Sequence, residues 1–432
     1  MHGTLGTGGH GMRMLRRSFW LAVSALSLTG QAFAADAPTA APAIDITAVL
    51  ARATLPFELK SERLSGAGAD FLLDATKHVQ FVLAGENPHD DHLVPMFDRA
   101  LYRELREHQG FRYAVVEQDP MAIETLSAAD AAGNPQKMAT ALKPYPTMLG
   151  FASDEDLAFL GDALSDRGVD DPVWGVEQAQ GAVRYLEKLA QLAPTPALRT
   201  RTDALLREAR SLEADRKGWI QFFGLHSLTT LPALQHLRDD WSPAEGTEAD
   251  LLLTGMIKSS EIYTYAVRAQ AGEPVGLYNN TTREAWLKQG FMRHYRRAST
   301  TGAVPKVLAK FGAWHMYHGR SPGSAWTFGN FLHEFAIANG SEAFGIYALA
   351  SEGPKGWEEI DAWLRPLLPR DEPVTPLVID LAALRPFAKR YVTGLSAKDA
   401  DALRDLIHGY EALVVLPHSK PATFGLTGYP HL

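Results

Sequence analysis

Between His78 and Gln118 the chain passes from one apolar run to a second through an amphipathic repeat. The first run, HVQFVLAGE (His78–Glu86), reads as a buried strand ending at a glycine turn. From Asp91 to His108, Leu93, Phe97, Leu101 and Leu105 recur every fourth residue, which is one face of a helix, and Gly110 is a helix stop. FRYAVVEQ (Phe111–Gln118) then reads as a second strand. Strand, helix and strand within about 40 residues form a βαβ unit, and such a unit requires a parallel sheet.

The same reading extends along the chain. PVWGVEQ (Pro172–Gln178) is a short strand and turn, and VPKVLAKFG (Val304–Gly312) is a strand running into AWHMYHG. EAFGIYALA, PLVIDLAAL and EALVVLP are later strands. Ser153 and Asp156 have the spacing of a capping box, as do Thr281 and Glu284. Residues 179–300 are largely helical in pattern. The expected fold is α/β, a central mostly parallel sheet flanked by helices, with an inserted or covering helical subdomain.

The N-terminus limits where such a domain begins. Arg13, Arg16 and Arg17 precede FWLAVSALSL, and small residues follow in QAFAADAP. A charged start, a short apolar middle and an Ala-x-Ala site make a secretory signal peptide over 1–34, cleaved after Ala34. RRSFWL is similar in part to a twin-arginine signal, and Met12 is an alternative start. Residues 35–43 are an Ala/Pro/Thr linker, leaving 44–432 as the α/β domain. Export places the mature protein in the periplasm or outside the cell, with no transmembrane segment after cleavage. Removing the three arginines takes the formal charge from -8 to -11. With no long basic run, this charge argues against nucleic-acid binding, and the expected partner is a small-molecule substrate. With no cysteine, the chain has neither a disulfide framework nor a thiol nucleophile.

Ligands of parallel α/β sheets bind outside the carboxyl ends of the strands. Four apolar runs here end in ionisable residues: Glu86 and His89, then Glu117, then Glu177, then His315 and His318. Each has a plain structural reading, since a glutamate after a strand is often a cap or an ion-pair partner. Asp90 and Asp91 are read as helix-capping acids. His294, beside Arg293, Arg296 and Arg297, is read as lying on a solvated helix face, and Trp174 and Trp314 as core or pocket wall.

Taken together, Gly85–Glu86–x–x–His89, the following helix, Gly110–Phe111 and the strand ending at Glu117 resemble the erythromycin esterase family. WGVEQ, TTREAWL with Arg283, AWHMYHG and EALVVLPHSKPA resemble further segments of that family. Three positions depart from its pattern: Asp98 stands where the family carries arginine, Met316 where it carries asparagine, and Glu177 where it carries aspartate. The resemblance implies hydrolysis of an ester or lactone by histidine-activated water, with no cofactor expected. It casts His89 as general base, Glu86 and Glu117 as its orienting carboxylates, and His315 as a water-positioning or oxyanion group. Arg283, Glu177 and His318 fall to the substrate side.

Two rivals stay open on the sequence. Glu86, His89, Glu117, His315 and His318 supply enough N and O donors for a divalent metal, and a metal-dependent hydrolase or peptidase would use them. A non-catalytic ligand- or haem-binding protein would need only an apolar cavity with one axial histidine. Serine catalysis lacks its Gly-x-Ser-x-Gly elbow.

Overall fold

The computed structural model describes residues 44–428, apart from 216, 218, 219, 276, 277 and 301. The expected signal peptide and linker lie outside the described residues. Ten strands occur among those described: β1 (Thr54–Pro56), β2 (Glu58–Lys60), β3 (Arg63–Ser65), β4 (Phe81–Asn87), β5 (Tyr113–Val116), β6 (Val173–Gly175), β7 (Val307–Gly312), β8 (Ala343–Ala350), β9 (Leu377–Asp380) and β10 (Ala412–Leu416). Eight build one sheet in the order β1-β9-β10-β8-β4-β7-β5-β6, while β2 and β3 pair separately.

From β10 across to β6 every neighbour is parallel. β9 runs antiparallel to β10, and β1 antiparallel to β9. Parallel strands are covered on both faces, so they read as continuous apolar runs. β4 shows how one run serves two cores. Val82 and Ala84 enter the core on one face, and Phe81 and Leu83 the core on the other. Leu308 of β7 and Val116 of β5 follow the first set, and Ala309 and Val115 the second.

The helix Leu93–Gln109 buries Phe97, Leu101 and Leu105 against the first core. Asp91 caps it, accepting the N–H groups of Leu93 and Val94 at 2.7 and 3.1 Å. Gly110 ends it in a left-handed conformation, its N–H bonded to the Leu105 carbonyl. The helix Asp154–Leu164 starts with the expected box, Ser153 Oγ accepting from the Asp156 N–H at 3.0 Å.

Between β6 and β7 run the helices Val183–Leu192, Pro196–Leu212, Ser227–Trp241, Glu248–Gln270 and Tyr278–Ser299. The first four send side chains such as Leu186, Leu206, Leu234 and Leu253 into the first core. The fifth sends Leu287, Phe291 and Tyr295 into the second. No described helix is long and apolar enough to cross a membrane.

Local expectations are corrected in three places. Tyr278–Ser299 begins before Thr281, so the expected Thr281/Glu284 box lies inside a helix and Glu284 is free for another partner. PLVIDLAAL divides: β9 stops at Asp380, whose carboxylate accepts the Ala383 N–H at 3.1 Å and starts the short helix Leu381–Leu384. β4 starts at Phe81 rather than His78.

Candidate active site

Because β4, β5, β6 and β7 are parallel, their carboxyl ends share one edge of the sheet. Glu86 is the next-to-last residue of β4, Glu117 follows β5, Glu177 lies two residues past β6, and β7 leads into a single 3-10 turn, Ala313–His315. The register sets Glu86 beside Gly312 and Val116 beside Lys310. Two glycines permit the close approaches here. A Cβ on Gly85 would lie 2.8 Å from the Tyr410 hydroxyl, which donates to the Ala313 carbonyl and fixes the turn. A Cβ on Gly312 would lie 2.7 Å from His89 Nε2.

His89 follows a cis Asn87–Pro88 peptide. Its Nδ1 is 2.9 Å from Glu86 Oε1, and its ring stacks on Phe151 with centroids 4.5 Å apart. The side chain is 39% exposed, so one part of the ring stays open. Burial by itself would lower the imidazole pKa. The hydrogen bond to Glu86 and the charges of Glu86 and Glu117 outweigh it and raise the pKa to about 9. His89 is therefore an imidazolium at neutral pH. Burial pushes the Glu86 carboxyl up, but Lys310 and His89 hold it well below the usual carboxylate range.

Glu117 ties three elements together. Its Oε2 accepts the Gly312 N–H at 2.6 Å, its Oε1 accepts from Arg283 Nη2 at 2.6 Å, and His315 Nε2 is 3.4 Å from Oε1. Arg283 also bonds Glu177, through Nε at 3.1 Å and through Nη2. Glu177 in turn accepts the Gln178 N–H at 2.8 Å. One residue along the helix, Glu284 Oε1 is 2.6 Å from His315 Nδ1. Burial and Arg283 oppose a charge on His315, but Glu117 and Glu284 outweigh them and raise its pKa.

Lys310 escaped the sequence reading. Its Nζ donates to Glu86 Oε2 and reaches Asp156 Oδ1, both at 2.9 Å, and its side chain is only 6% exposed. One signal was available: a lysine stands inside the apolar run VLAKFG, and a buried charge requires a partner. A cavity of about 10 Å³, near the smallest that holds one water, is lined by residues that include Glu86, Glu117, Gln118, Asp156 and Lys310.

The expected residues Glu86, His89, Glu117, Glu177, Arg283 and His315 thus form one neighbourhood. His318 is placed apart from it. Its ring stacks on His333 at 4.2 Å and its Nε2 is 3.6 Å from Glu334. His294 is not on a solvated face: its Nδ1 is 2.8 Å from Asp171 and its ring stacks on buried Trp174. Trp314 is not core, being 60% exposed. Among the described residues no three His, Asp or Glu side chains converge as a metal-binding group.

Solved structures share this architecture. A mutant of the erythromycin esterase EreC in its open conformation superposes with a TM-score of 0.58 at 12% identity, covering 87% of this chain and 100% of that one. The chain has the erythromycin esterase-like fold. A Bacillus cereus protein superposes at 0.55 with 12% identity, covering 88% and 99% of the two chains. A succinoglycan biosynthesis protein does so at 0.53 with 14% identity, covering 87% and 98%. No family model matches the sequence, and no curated protein does. The shared property is therefore the fold.

Proposed function

We propose that the protein is an exported hydrolase that cleaves an ester or lactone with water activated by His89. The observation that carries this reading is His89 at the carboxyl edge of the sheet, bonded through Nδ1 to Glu86 while part of its ring stays open. In the deprotonated form Nε2 takes a proton from water, and the resulting hydroxide attacks the substrate carbonyl. Glu86 stabilises the imidazolium formed. His315 donates to the oxyanion, since its other nitrogen is held by Glu284. His89 then returns the proton to the departing alkoxide as the C–O bond breaks. Arg283 is mainly engaged with Glu117 and Glu177, and its 27% exposed side chain would offer what is left to a substrate carbonyl.

The test is a panel of esters and lactones, macrolides included, given to the purified protein with and without chelator. Turnover that survives chelation and is lost in His89→Ala is the expected result. Turnover abolished by chelator and restored by a divalent ion would replace this reading with a metallohydrolase. Retained turnover in folded His89→Ala would reject the assigned base.

A further inference from the structure

Behind the His89–Glu86 pair lies a buried group of charges that the proposed reaction does not use. Lys310 projects from β7 on the face it shares with Leu308 and with Val82 and Ala84 of β4. Its ammonium sits between Glu86 and Asp156, and over the Phe159 ring at 6.0 Å. Asp156 is itself held by Ser153 Oγ, which donates to Oδ2 at 2.7 Å. Asp98, from the helix Leu93–Gln109, is fully buried in the same region, and neither of its oxygens has a hydrogen-bond partner among the described residues.

The cations within reach separate these acids. Glu86, Asp156 and Asp98 are three buried carboxyls, and the cations near them are Lys310 and His89. Glu86 touches both cations, and Asp156 touches one. Asp98 touches neither, and an unbonded buried carboxylate is too costly to keep. Asp98 is therefore the member that keeps its proton. Burial, reinforced by Glu86 and Asp156 against the pull of Lys310, agrees with this and raises its pKa to about 8.

We propose that Lys310 is a positioning residue for the hydrolytic site, holding Glu86 ionised and aimed at His89, with Asp98 as the uncharged member of the cluster. The role of Lys310 in turnover rests on the hydrolase reading, but its hold on Glu86 can be measured without any substrate. The groups facing Glu86 are His89 from its own loop, Lys310 from β7, Asp156 and Asp98 from two helices, and Glu117 beyond β5.

The experiment is a carboxyl-carbon NMR titration of Glu86 in the full chain, with the signal assigned by its loss in Glu86→Gln. In the unsubstituted protein Glu86 should stay ionised to well below the ordinary carboxylate midpoint. In Lys310→Met its midpoint should rise by about two pH units or more, and Lys310→Arg should keep it low. Should Lys310→Met fail to fold, the double variant Lys310→Met/Asp156→Asn removes the stranded anion and must show the same rise. An unchanged Glu86 midpoint in either folded variant would overturn the proposal. Asp98→Asn should leave the Glu86 midpoint within about half a unit, because it replaces a neutral acid by a neutral amide; a larger shift would overturn the assignment of the proton. With a substrate in hand, Lys310→Met should lower kcat at unchanged KM, with recovery in Lys310→Arg. A change confined to KM would count against positioning.

Discussion

His89 and Gly312 are so close that a methyl group on Gly312 would sit 2.7 Å from the imidazole Nε2. Gly312 has a φ of -54°, a conformation alanine adopts without strain, so the constraint comes from the histidine rather than from the backbone. Gly312→Ala should push the half-open His89 ring out of line while the fold stays intact. A loss on the order of 10²-fold in kcat/KM is expected, with a melting temperature close to that of the unsubstituted protein. Unchanged turnover in Gly312→Ala would show that the His89 position is not critical.

The charge state of His89 sets a pH dependence. Its pKa of about 9 means that the base form grows as pH rises through that value. The kcat/KM of a susceptible ester should therefore climb from pH 7 and level off above about 9, and His89→Ala should lose roughly 10²–10⁴-fold at the plateau. A profile that falls over the same interval would make His89 the acid instead. The stability contribution has the opposite slope. The folded pKa lies above the ordinary histidine value, so the contribution is complete below about 6.5 and disappears as pH rises through about 9.

Arg283 neutralises two carboxylates that have almost no access to water, Glu117 and Glu177. Arg283→Met would leave Glu177 without its cation and Glu117 with His315 and the Gly312 N–H. Removing one partner of a buried ion pair costs about 3–5 kcal/mol, so the denaturant midpoint should fall by that equivalent at unchanged slope. A midpoint within error of the starting protein would mean that this bridge does not exist in solution.

Glu284→Gln tests the second histidine. The carboxylate is one of the groups that raise the His315 pKa, so its removal should move the His315 titration downward in an imidazole NMR experiment. If His315 donates to the oxyanion, kcat should drop while KM stays the same. A lowered titration with normal kcat would retain the contact and discard the catalytic role.

Much of the site could be read along the chain because parallel strands all deliver their carboxyl ends to one edge. Once HVQFVLAGE, FRYAVVEQ, PVWGVEQ and VPKVLAKFG are strands, Glu86, Glu117, Glu177 and the turn carrying His315 must emerge together. The contact from Glu86 to His89 is local, three residues apart along the chain, and so it too is legible in the sequence. Arg283 was placed by resemblance alone.

His318 shows where local order misleads. It is three residues from His315, but the chain turns after the 3-10 segment and sends it to His333 and Glu334. His294 is the converse: arginines around it suggested water, and packing gave it Trp174 and Asp171.

The amino-acid order by itself determined the continuous apolar runs that make buried strands, the helix between the first two, and the ionisable groups at their ends. These follow from backbone geometry and side-chain period, which act over a few residues. Only the tertiary structure decided that Lys310 meets Glu86 across 224 positions, that Glu284 meets His315, and that Asp98 is left without a partner. Those outcomes depend on which buried charges are brought within a few ångströms in a medium that cannot screen them, and chain packing alone settles that.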